Sequence, residues 1–201
     1  MGDFHDWRVC RRAKRGIGSA PDRIAMKRAV FLDRDGVINR AAVDGQYVTR
    51  WEDFHFLPKV AEAISLLSRA GWRVFVITNQ RCVSSGLISI AELEAIHQKM
   101  QGELANAGAR IDGIYYCPHE KEPPCQCRKP SAGMLLRAAQ DHQIDLASSW
   151  MVGDSDSDIE AGRRAGCRTI KIVPESDANG GTSDLSAQTL MQACDRILTI
   201  G

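Results

Sequence analysis

The sequence predicts one α/β domain in which a mostly parallel sheet lies between two layers of helices. Short apolar runs alternate along the chain with longer stretches of helical periodicity, and this alternation is typical of strand–helix–strand units. Gly71, Gly108 and Gly166 each follow one of the helical stretches, at the position that a left-handed C-cap occupies. Because strand–helix–strand connections make successive strands parallel, we expect helices on both faces of the sheet.

Five short apolar runs are predicted to be buried strands, at residues 29–32, 73–77, 113–116, 150–152 and 169–173. The longer stretches between them repeat apolar residues at helical spacing and are predicted to be helices, at residues 60–70, 91–107, 132–143 and 157–165. A polar segment at 176–184 is predicted to be a surface loop before a last amphipathic helix at about 185–198. A single helix fills the segment between the second and third strands, which leaves little room for a cap domain.

The composition is that of a globular chain without a strong charge preference. Of the 201 residues, 44% are hydrophobic and 25% are charged, which excludes a fully disordered chain, a collagen and a coiled-coil rod. The formal net charge of +1 argues against a nucleic acid or a membrane surface as the main partner. The sequence has no apolar run of membrane-spanning length and no secretory signal pattern, so we expect a cytoplasmic location.

Residues 1–25 differ from the rest of the chain, and a single domain is predicted to span 26–201. The N-terminal segment has neither helical nor strand periodicity and is rich in basic residues, namely Arg8, Arg11, Arg12, Lys14, Arg15 and Arg23. A basic arm can contact RNA or phosphates, but most such segments are solvated extensions. The second interpretation is therefore favoured for this arm.

Acidic residues follow the first and fourth predicted strands. Asp33 and Asp35 come directly after the first strand, two residues apart, so they can converge on one cation while Gly36 lets the chain turn. A turn with solvated acids is the alternative. After the fourth strand, Asp154 and Asp158 can complete a magnesium site or cap the next helix.

Hydroxyl and amide side chains follow the second predicted strand, and basic side chains follow the third. Thr78 and Asn79 can donate hydrogen bonds to phosphate oxygens, although such residues on their own are usually caps or turns. Arg128 and Lys129 place two positive charges on the loop after the third strand. Because the carboxyl ends of parallel strands meet at one edge of a sheet, the four groups together indicate a single site there.

Three cysteines and one histidine lie within eleven residues, at Cys117, His119, Cys125 and Cys127. Three thiols and an imidazole form a tetrahedral zinc site by ligand type, and a chance grouping of cysteines near a buried histidine is the alternative. The chain has seven cysteines, an odd number that does not suggest a disulfide framework. Because Cys127 is next to Arg128, zinc at this position would order the basic part of the site.

With these motifs the sequence resembles the haloacid dehalogenase (HAD) superfamily from residue 27 to about residue 174. The motifs are Asp33-Arg34-Asp35-Gly36-Val37, Thr78 with Asn79 and Gln80, Lys129 within Cys127-Arg128-Lys129-Pro130, and Gly153-Asp154 followed by Asp158. More narrowly, the sequence is similar to the capless branch that holds heptose bisphosphate phosphatases and histidinol-phosphate phosphatases. Segments 47–48, 112–119 and 133–136 are closer to the heptose enzymes. The resemblance implies a Rossmann-like three-layer sandwich with a zinc-bound loop and no large cap domain.

The resemblance also implies the chemistry of a magnesium-dependent phosphatase. Asp33 would be the nucleophile that forms an aspartyl-phosphate, and Asp35 would act first as general acid and then as general base. Thr78 and Lys129 would hold the phosphate oxygens that gain charge in the transition state. Mg²⁺ would be bound by Asp33, the backbone carbonyl of Asp35, Asp154 and Asp158. Zn²⁺ would be bound by Cys117, His119, Cys125 and Cys127, away from the reaction itself.

The substrate implied by the resemblance is D-glycero-D-manno-heptose 1,7-bisphosphate, a small phosphorylated sugar used in lipopolysaccharide or other surface-polysaccharide synthesis. Histidinol phosphate or another small sugar phosphate is the alternative within the same chemistry. A zinc-containing interaction module is the alternative from a different class of protein. For the enzyme we expect a monomer or a weak homodimer, with no nucleic-acid and no membrane partner.

The sequence departs from the pattern of the heptose enzymes in one short segment and at one single residue. Residues 81–86 read Arg-Cys-Val-Ser-Ser-Gly where these enzymes usually read Ser-Gly-Ile-Ala-Arg-Gly, so the arginine is absent at Ser85 and a different one is present at Arg81. Ser155 stands where the family often has lysine. Asn79, Arg128 and Arg81 are predicted to bind substrate, and the two arginines are assigned to its second phosphate because guanidinium binds phosphate bidentately.

Overall fold

A seven-stranded sheet lies at the centre of the structure, a computed structural model that describes residues 9–10, 26–43, 46–174 and 181–200. Along the described chain the strands are β1 (Val9–Cys10), β2 (Ala29–Leu32), β3 (Arg73–Asn79), β4 (Gly113–Cys117), β5 (Trp150–Gly153), β6 (Arg168–Ile172) and β7 (Leu185–Ala187). Their order across the sheet is β1-β4-β3-β2-β5-β6-β7. The strands from β2 to β7 are parallel, and β1 pairs with β4 in the antiparallel direction.

Within the same residues the chain forms α1 (Val60–Arg69), α2 (Ile90–Asn106), α3 (Gly133–His142), α4 (Asp156–Ala165) and α5 (Leu190–Ile200). A short 3-10 helix, Trp51–Asp53, lies between β2 and α1. Local chemistry fixes several ends. Helix α2 begins at a capping box in which Ser89 and Glu92 each accept from the other's backbone amide. Helix α4 ends at Gly166, which adopts a left-handed conformation with φ of 83°.

Side chains on the sheet alternate between two apolar cores, one on each face. Val30, Leu32 and their neighbours on β3 pack in one core with residues of α1, α2 and α5. Phe31 and Ile77 lie in the other core, with residues of α3 and α4. The alternation follows from the two-residue period of a strand. The molecule is therefore a three-layer α/β sandwich, as the sequence predicts.

Strand β2 occupies the middle of the sheet, between β3 and β5. The chain first adds β3 and β4 on one side of β2 and then adds β5, β6 and β7 on the other. The loops that follow β2, β3 and β5 therefore separate from one another at the carboxyl edge of the sheet. Open α/β sheets bind their ligands in the crevice that forms where the loops separate.

Most predicted elements are found within two residues of their expected ends, and the differences lie at the end of β3, at the last helix and in the predicted arm. Strand β3 continues to Asn79, which pairs with Cys117 of β4. The last helix begins at Leu190 and not at about 185, because residues 185–187 pair with β6 as strand β7 and the Thr189 hydroxyl accepts from the Gln192 amide at the helix start. Val9–Cys10 forms strand β1 inside the predicted arm, where the sequence indicated no strand.

The rest of the predicted arm 1–25 and residues 176–180 of the predicted polar loop 176–184 lie outside the described residues. Between β3 and β4 the described chain holds α2 and its connecting loops, and no cap domain is inserted there. The helices in the described ranges include none with the length and apolar character needed to cross a bilayer.

Candidate active site

Lys129 lies at the centre of the predicted site and is almost fully buried. Its ammonium nitrogen is 2.7 Å from Asp33 Oδ1, 2.6 Å from Asp158 Oδ1 and 2.7 Å from the backbone carbonyl oxygen of Ile77. Asp33 directly follows β2, Ile77 belongs to β3, and Asp158 lies in the first turn of α4. Two carboxylates and one backbone carbonyl, from three separate parts of the chain, therefore meet around one buried ammonium group.

Asp33, Asp154 and Asp158 each offer a carboxylate oxygen within 4.8 Å of the others. Oxygen ligands at this separation suit a hard divalent cation such as Mg²⁺. Gly36 allows the acidic group to close, because its φ is 83° and a Cβ there would overlap the Asp154 carboxylate. The residues present therefore fit a magnesium ion both in their chemistry and in their packing.

Burial and mutual repulsion govern the ionisation of this acidic group. Burial raises the pKa of Asp33 to about 8, with Lys129 opposing the shift and the charges of Asp158 and Asp35 adding to it. Burial, together with the charge of Asp158, also raises the pKa of Asp154 to about 6. For Lys129, burial is outweighed by the charges of Asp158 and Asp33, so its pKa is raised and it remains an ammonium ion. A divalent cation would relieve the repulsion that raises the two carboxyl pKa values.

The carboxylate of Asp35 is held apart from this group by four donors on three residues. Arg34 donates from Nη2 to both oxygens, at 2.9 and 3.0 Å, and from Nε at 3.3 Å. Asn39 donates to Oδ1 at 2.9 Å, and Gln80 donates to Oδ2 at 3.0 Å. Burial, which would raise its pKa, is outweighed by the Arg34 charge and these hydrogen bonds, so the pKa of Asp35 is lowered. The resemblance to the HAD superfamily implies that Asp35 binds magnesium through its backbone carbonyl and not through this side chain.

Asp158 caps the next helix, one of the two roles that the sequence left as alternatives, and it also pairs with Lys129. Its Oδ2 accepts from the backbone amide of Ser155 at 3.0 Å and from the Ser155 hydroxyl at 2.7 Å, which caps helix α4. Its Oδ1 is paired with Lys129. Gly153 allows this approach, since a Cβ there would overlap the Asp158 side chain. The cap thus fixes the carboxylate that holds the lysine.

The residues at the end of β3 organise the site around Lys129. The buried Thr78 hydroxyl accepts from Gln80 Nε2 at 2.9 Å. The Asn79 side chain accepts from the backbone amide of Lys129 at 3.1 Å and donates to its carbonyl at 3.1 Å. Asn79, predicted to bind substrate, is therefore also the residue that fixes the backbone of Lys129 to strand β3.

The two arginines assigned to a second phosphate lie at the rim and not at the centre. Arg81 Nε donates to the Tyr47 hydroxyl at 2.7 Å, and its Nη1 is 3.6 Å from Glu120. Glu120 also accepts from the Ser84 and Ser85 hydroxyls, so it joins the loop after β3 to the cysteine-rich loop, residues 117–127. Arg128 donates to the carbonyl of His119 at 3.2 Å.

Cys117, His119, Cys125 and Cys127 converge beside this rim. Their sulfur–sulfur distances are 3.3, 3.3 and 3.6 Å, and His119 Nδ1 is 3.1 Å from Cys127 Sγ and 3.6 Å from Cys117 Sγ. A tetrahedral zinc ion with bonds of about 2.3 Å requires sulfur–sulfur distances of about 3.8 Å, close to those found. The backbone amide of Arg128 also donates to Cys125 Sγ at 3.3 Å. The four side chains therefore fit zinc.

Two residues with partners in the site, Arg34 and His97, were not identified as site residues from the sequence. Arg34, inside the acidic motif, is buried and binds Asp35, and its Nη1 lies 3.2 Å from Nε2 of His97 on α2. Nothing in the pattern around His97 indicates this contact, because the partners are 63 positions apart. An arginine between two aspartates in the motif is the one feature that could have suggested a buried ion pair.

Comparison with known proteins places the chain in a family. A family model for HAD-hydrolase-like proteins matches residues 126–178. The chain is 40% identical over 143 residues to the D-glycero-beta-D-manno-heptose-1,7-bisphosphate 7-phosphatase of Pseudomonas aeruginosa, covering 71% of this chain and 79% of that protein. The chain belongs to the heptose bisphosphate phosphatase family of HAD-like hydrolases. The resemblance inferred from its motifs is thereby confirmed.

Two further members of the heptose bisphosphate phosphatase family extend the comparison. The D-glycero-alpha-D-manno-heptose-1,7-bisphosphate 7-phosphatase of Mycobacterium bovis is 39% identical over 169 residues, covering 81% of this chain and 87% of that protein. The crystal structure of D,D-heptose 1,7-bisphosphate phosphatase from B. bronchiseptica, complexed with magnesium and phosphate, superposes with a TM-score of 0.78 at 33% identity. The superposition covers 87% of this chain and 99% of that chain, so the HAD-like fold is confirmed.

Proposed function

We propose that this chain is a magnesium-dependent phosphatase that removes one phosphate from D-glycero-D-manno-heptose 1,7-bisphosphate. The observation that carries the proposal is the buried Lys129 ammonium, which lies within 2.7 Å of both Asp33 and Asp158 while Asp154 stands beside them. A nucleophilic carboxylate, a fixed cation and a metal-binding acidic group in one place are what phosphoryl transfer through an aspartyl-phosphate requires. The names of the relatives support the substrate.

In this mechanism an oxygen of Asp33 attacks the phosphorus atom while the bond from phosphorus to the sugar oxygen breaks. Asp35 gives a proton to the departing sugar oxygen, and the sugar leaves as an alcohol. Asp35 then takes a proton from water, whose oxygen attacks the phosphorus of the aspartyl-phosphate. Inorganic phosphate leaves and the Asp33 carboxylate is restored, so atoms and protons balance over the cycle.

The surroundings of Asp35 suit the second of these steps in the resting protein. Its lowered pKa keeps the carboxylate ionised, which is the form that accepts a proton from water. The first step needs the protonated form. A phosphate dianion bound nearby raises the pKa of a neighbouring carboxyl group, so substrate binding itself favours protonation of Asp35.

Asp33, Asp154, Asp158 and the backbone carbonyl of Asp35 would hold Mg²⁺, which when bound neutralises charge on the phosphate and on the attacking carboxylate. Lys129 supplies a fixed positive charge at the same point, and the Thr78 hydroxyl is free to rotate its proton toward a phosphate oxygen. Asn79 keeps Lys129 in place through both of its backbone hydrogen bonds.

Zinc, in this proposal, has a structural role. The cysteine-rich loop carries Cys127 two residues before Lys129, and its segment 120–124 has few buried side chains of its own. Structural zinc contributes about 10 to 16 kcal/mol of apparent binding free energy in small zinc peptides, enough to order such a loop. Arg128 and Arg81, at the rim of the same loop system, are proposed to bind the second phosphate.

Phosphate release from a substrate panel tests the proposal. The panel contains the α and β anomers of the heptose bisphosphate, histidinol phosphate and glucose 6-phosphate, each with Mg²⁺ and with EDTA. We expect kcat/KM to be highest for one heptose anomer and activity to disappear with EDTA. A preference for histidinol phosphate would replace the substrate but keep the chemistry. Absence of phosphate release from every compound with Mg²⁺ would favour an interaction module instead.

A further inference from the structure

A buried histidine on α2 contacts the arginine that binds Asp35. His97 is fully buried and Arg34 is 1% exposed. His97 Nε2 lies 3.2 Å from Arg34 Nη1, while the opposite edge of the guanidinium, Nε and Nη2, faces the Asp35 carboxylate. The three side chains form a line from the interior of the helix layer to the acidic site.

The chemistry of the pair fixes the protonation state of the histidine. A guanidinium group has only donors, so His97 Nε2 must accept, and the imidazole is neutral with its proton on Nδ1. Burial and the Arg34 charge lower the pKa of His97 to about 3, in agreement with this assignment. Nδ1 is buried and has no hydrogen-bond partner in the described structure. A buried donor without an acceptor costs free energy, so packing stability alone does not explain a histidine here.

Asp35 is the member of the line whose orientation is not fixed by burial. Its side chain is 31% exposed, in contrast to those of Arg34 and His97. Hydrogen bonds must therefore orient its carboxylate, and Arg34 supplies most of them. The far nitrogen of Arg34, Nη1, lies in the core, where a buried donor needs an acceptor, and His97 Nε2 is 3.2 Å from it.

We propose that His97 is a positioning residue that acts on Asp35 through Arg34. It fixes the orientation of the carboxyl group that gives a proton to the departing oxygen. The inference rests on the proposed function, because it requires Asp35 to be the general acid. It adds a residue of α2 to a site otherwise built from the strand exits and the cysteine-rich loop.

The test compares two leaving groups in His97→Leu and His97→Gln. A sugar alkoxide needs a proton as it departs, whereas p-nitrophenolate departs without one. kcat/KM includes the step that forms the aspartyl-phosphate but not its hydrolysis, so the two substrates report on the general acid. The ratio of their kcat/KM values is independent of the amount of folded enzyme, since both are measured on one preparation.

We expect His97→Leu to lower kcat/KM for the heptose bisphosphate at least about tenfold more than that for p-nitrophenyl phosphate. His97→Gln, whose amide oxygen can accept from Arg34, should recover most of the ratio. Should the leucine variant not fold, Arg34→Lys must lower the same ratio, because one ammonium nitrogen cannot span two acceptors that contact opposite edges of the guanidinium. His55→Leu, at an exposed position, is the control and should leave the ratio unchanged.

An equal loss for both substrates, or no loss for either, overturns the inference and leaves His97 with a structural role. If the wild-type protein has no activity on any sugar phosphate, the proposed function itself is wrong. The inference about His97 then loses its basis as well. The two failures are therefore distinguished by the wild-type measurement alone.

Discussion

Lys129 is the residue on which the candidate site depends most directly. Its ammonium group has three acceptors, two of them carboxylates, and all three lie at about hydrogen-bond distance inside the protein. Removing one partner from a buried ion pair leaves the other charge uncompensated, which is strongly destabilising. The lysine therefore serves the stability of the sheet edge as well as the charge balance of the proposed reaction.

Substitution of the proposed nucleophile gives the first prediction at this scale. Asp33→Asn retains the shape of the side chain but removes the attacking oxygen anion, so turnover should be abolished. The measurement is kcat for phosphate release with saturating Mg²⁺, and Asp53→Asn, at an exposed position, is the control. Retention of about a tenth of wild-type kcat would contradict the assignment of Asp33 as the nucleophile.

Gly36 gives a second prediction, with a control that matches its backbone conformation. Gly36→Ala puts a methyl group into the Asp154 carboxylate and adds left-handed strain of about 1 to 2 kcal/mol. Gly71 has a φ of 85°, close to the 83° of Gly36, but a Cβ there meets no atom within 4 Å. Gly71→Ala therefore carries the strain without the overlap.

We expect Gly36→Ala to lose at least as much stability in urea unfolding as Gly71→Ala, and we expect the two variants to differ in Mg²⁺ dependence. The Mg²⁺ concentration for half-maximal activity should rise at least about tenfold in Gly36→Ala and remain unchanged in Gly71→Ala. Equal Mg²⁺ dependence in both variants would show that the space at Gly36 does not matter for the acidic group.

At the scale of elements, the strands and their exits could be predicted because both signals are local. Apolar runs at 29–32 and 150–152 are too short and too continuous for exposed helices, and each is followed by an acid within two residues. Parallel topology then brings those acids to one edge. The same local reasoning identified the cysteine-rich loop from ligand type and spacing. Geometry agrees with these expectations at Asp33, Lys129, Asp154 and Asp158.

Features that depend on partners distant in sequence could not be predicted in this way. Strand β7 has only three residues, and its pairing with β6 takes residues 185–187 out of the helix that was predicted to begin at about residue 185. Strand β1 has two residues and is defined by its antiparallel partner β4. His97 is recognisable as part of the site only when Arg34 is seen next to it. In each case the deciding contact lies outside the local window.

Zinc gives the prediction at the scale of elements. Cys125→Ser removes one ligand from the loop that leads to Lys129, so zinc content should fall and the loop should lose its order. We expect kcat to fall at least about tenfold, with no recovery when Mg²⁺ is raised. Metal analysis and limited proteolysis within 117–127 measure the two effects.

Cys167→Ser is the control for the zinc prediction, because Cys167 is a buried thiol outside the cluster. It should keep full zinc content and an intact loop. A Cys125→Ser protein that has lost its zinc but keeps full activity and a protease-resistant loop would remove the structural role proposed for the metal.

Whole-molecule stability should depend on pH through Asp154. In the metal-free chain its pKa is raised from 3.8 to about 6, so the folded state binds this proton more tightly than the unfolded state does. The free energy of unfolding therefore falls, for this group, as pH rises from about 4 through about 6. Mg²⁺ binds the ionised carboxylate, so the rise in Tm on adding Mg²⁺ should be larger at about pH 8 than at about pH 5.

Asp154→Asn should abolish most of this Mg²⁺-dependent rise in Tm and raise the Tm of the metal-free protein at about pH 8. Asp156→Asn is the control, since Asp156 is 87% exposed and two residues away. Thermal unfolding followed by circular dichroism, with Mg²⁺ or EDTA at both pH values, measures each shift. A Mg²⁺ effect that is the same for wild type and Asp154→Asn would exclude Asp154 as a ligand.

The buried lysine and its neighbouring acids also constrain the order in which ligands are added. When Asp33, Asp154 and Asp158 are ionised, three carboxylates face one ammonium group, and two negative charges remain uncompensated. A phosphate dianion entering first would be repelled, whereas a divalent cation entering first brings the cluster to electroneutrality. Initial-rate kinetics should therefore show compulsory binding of the cation ahead of the sugar phosphate.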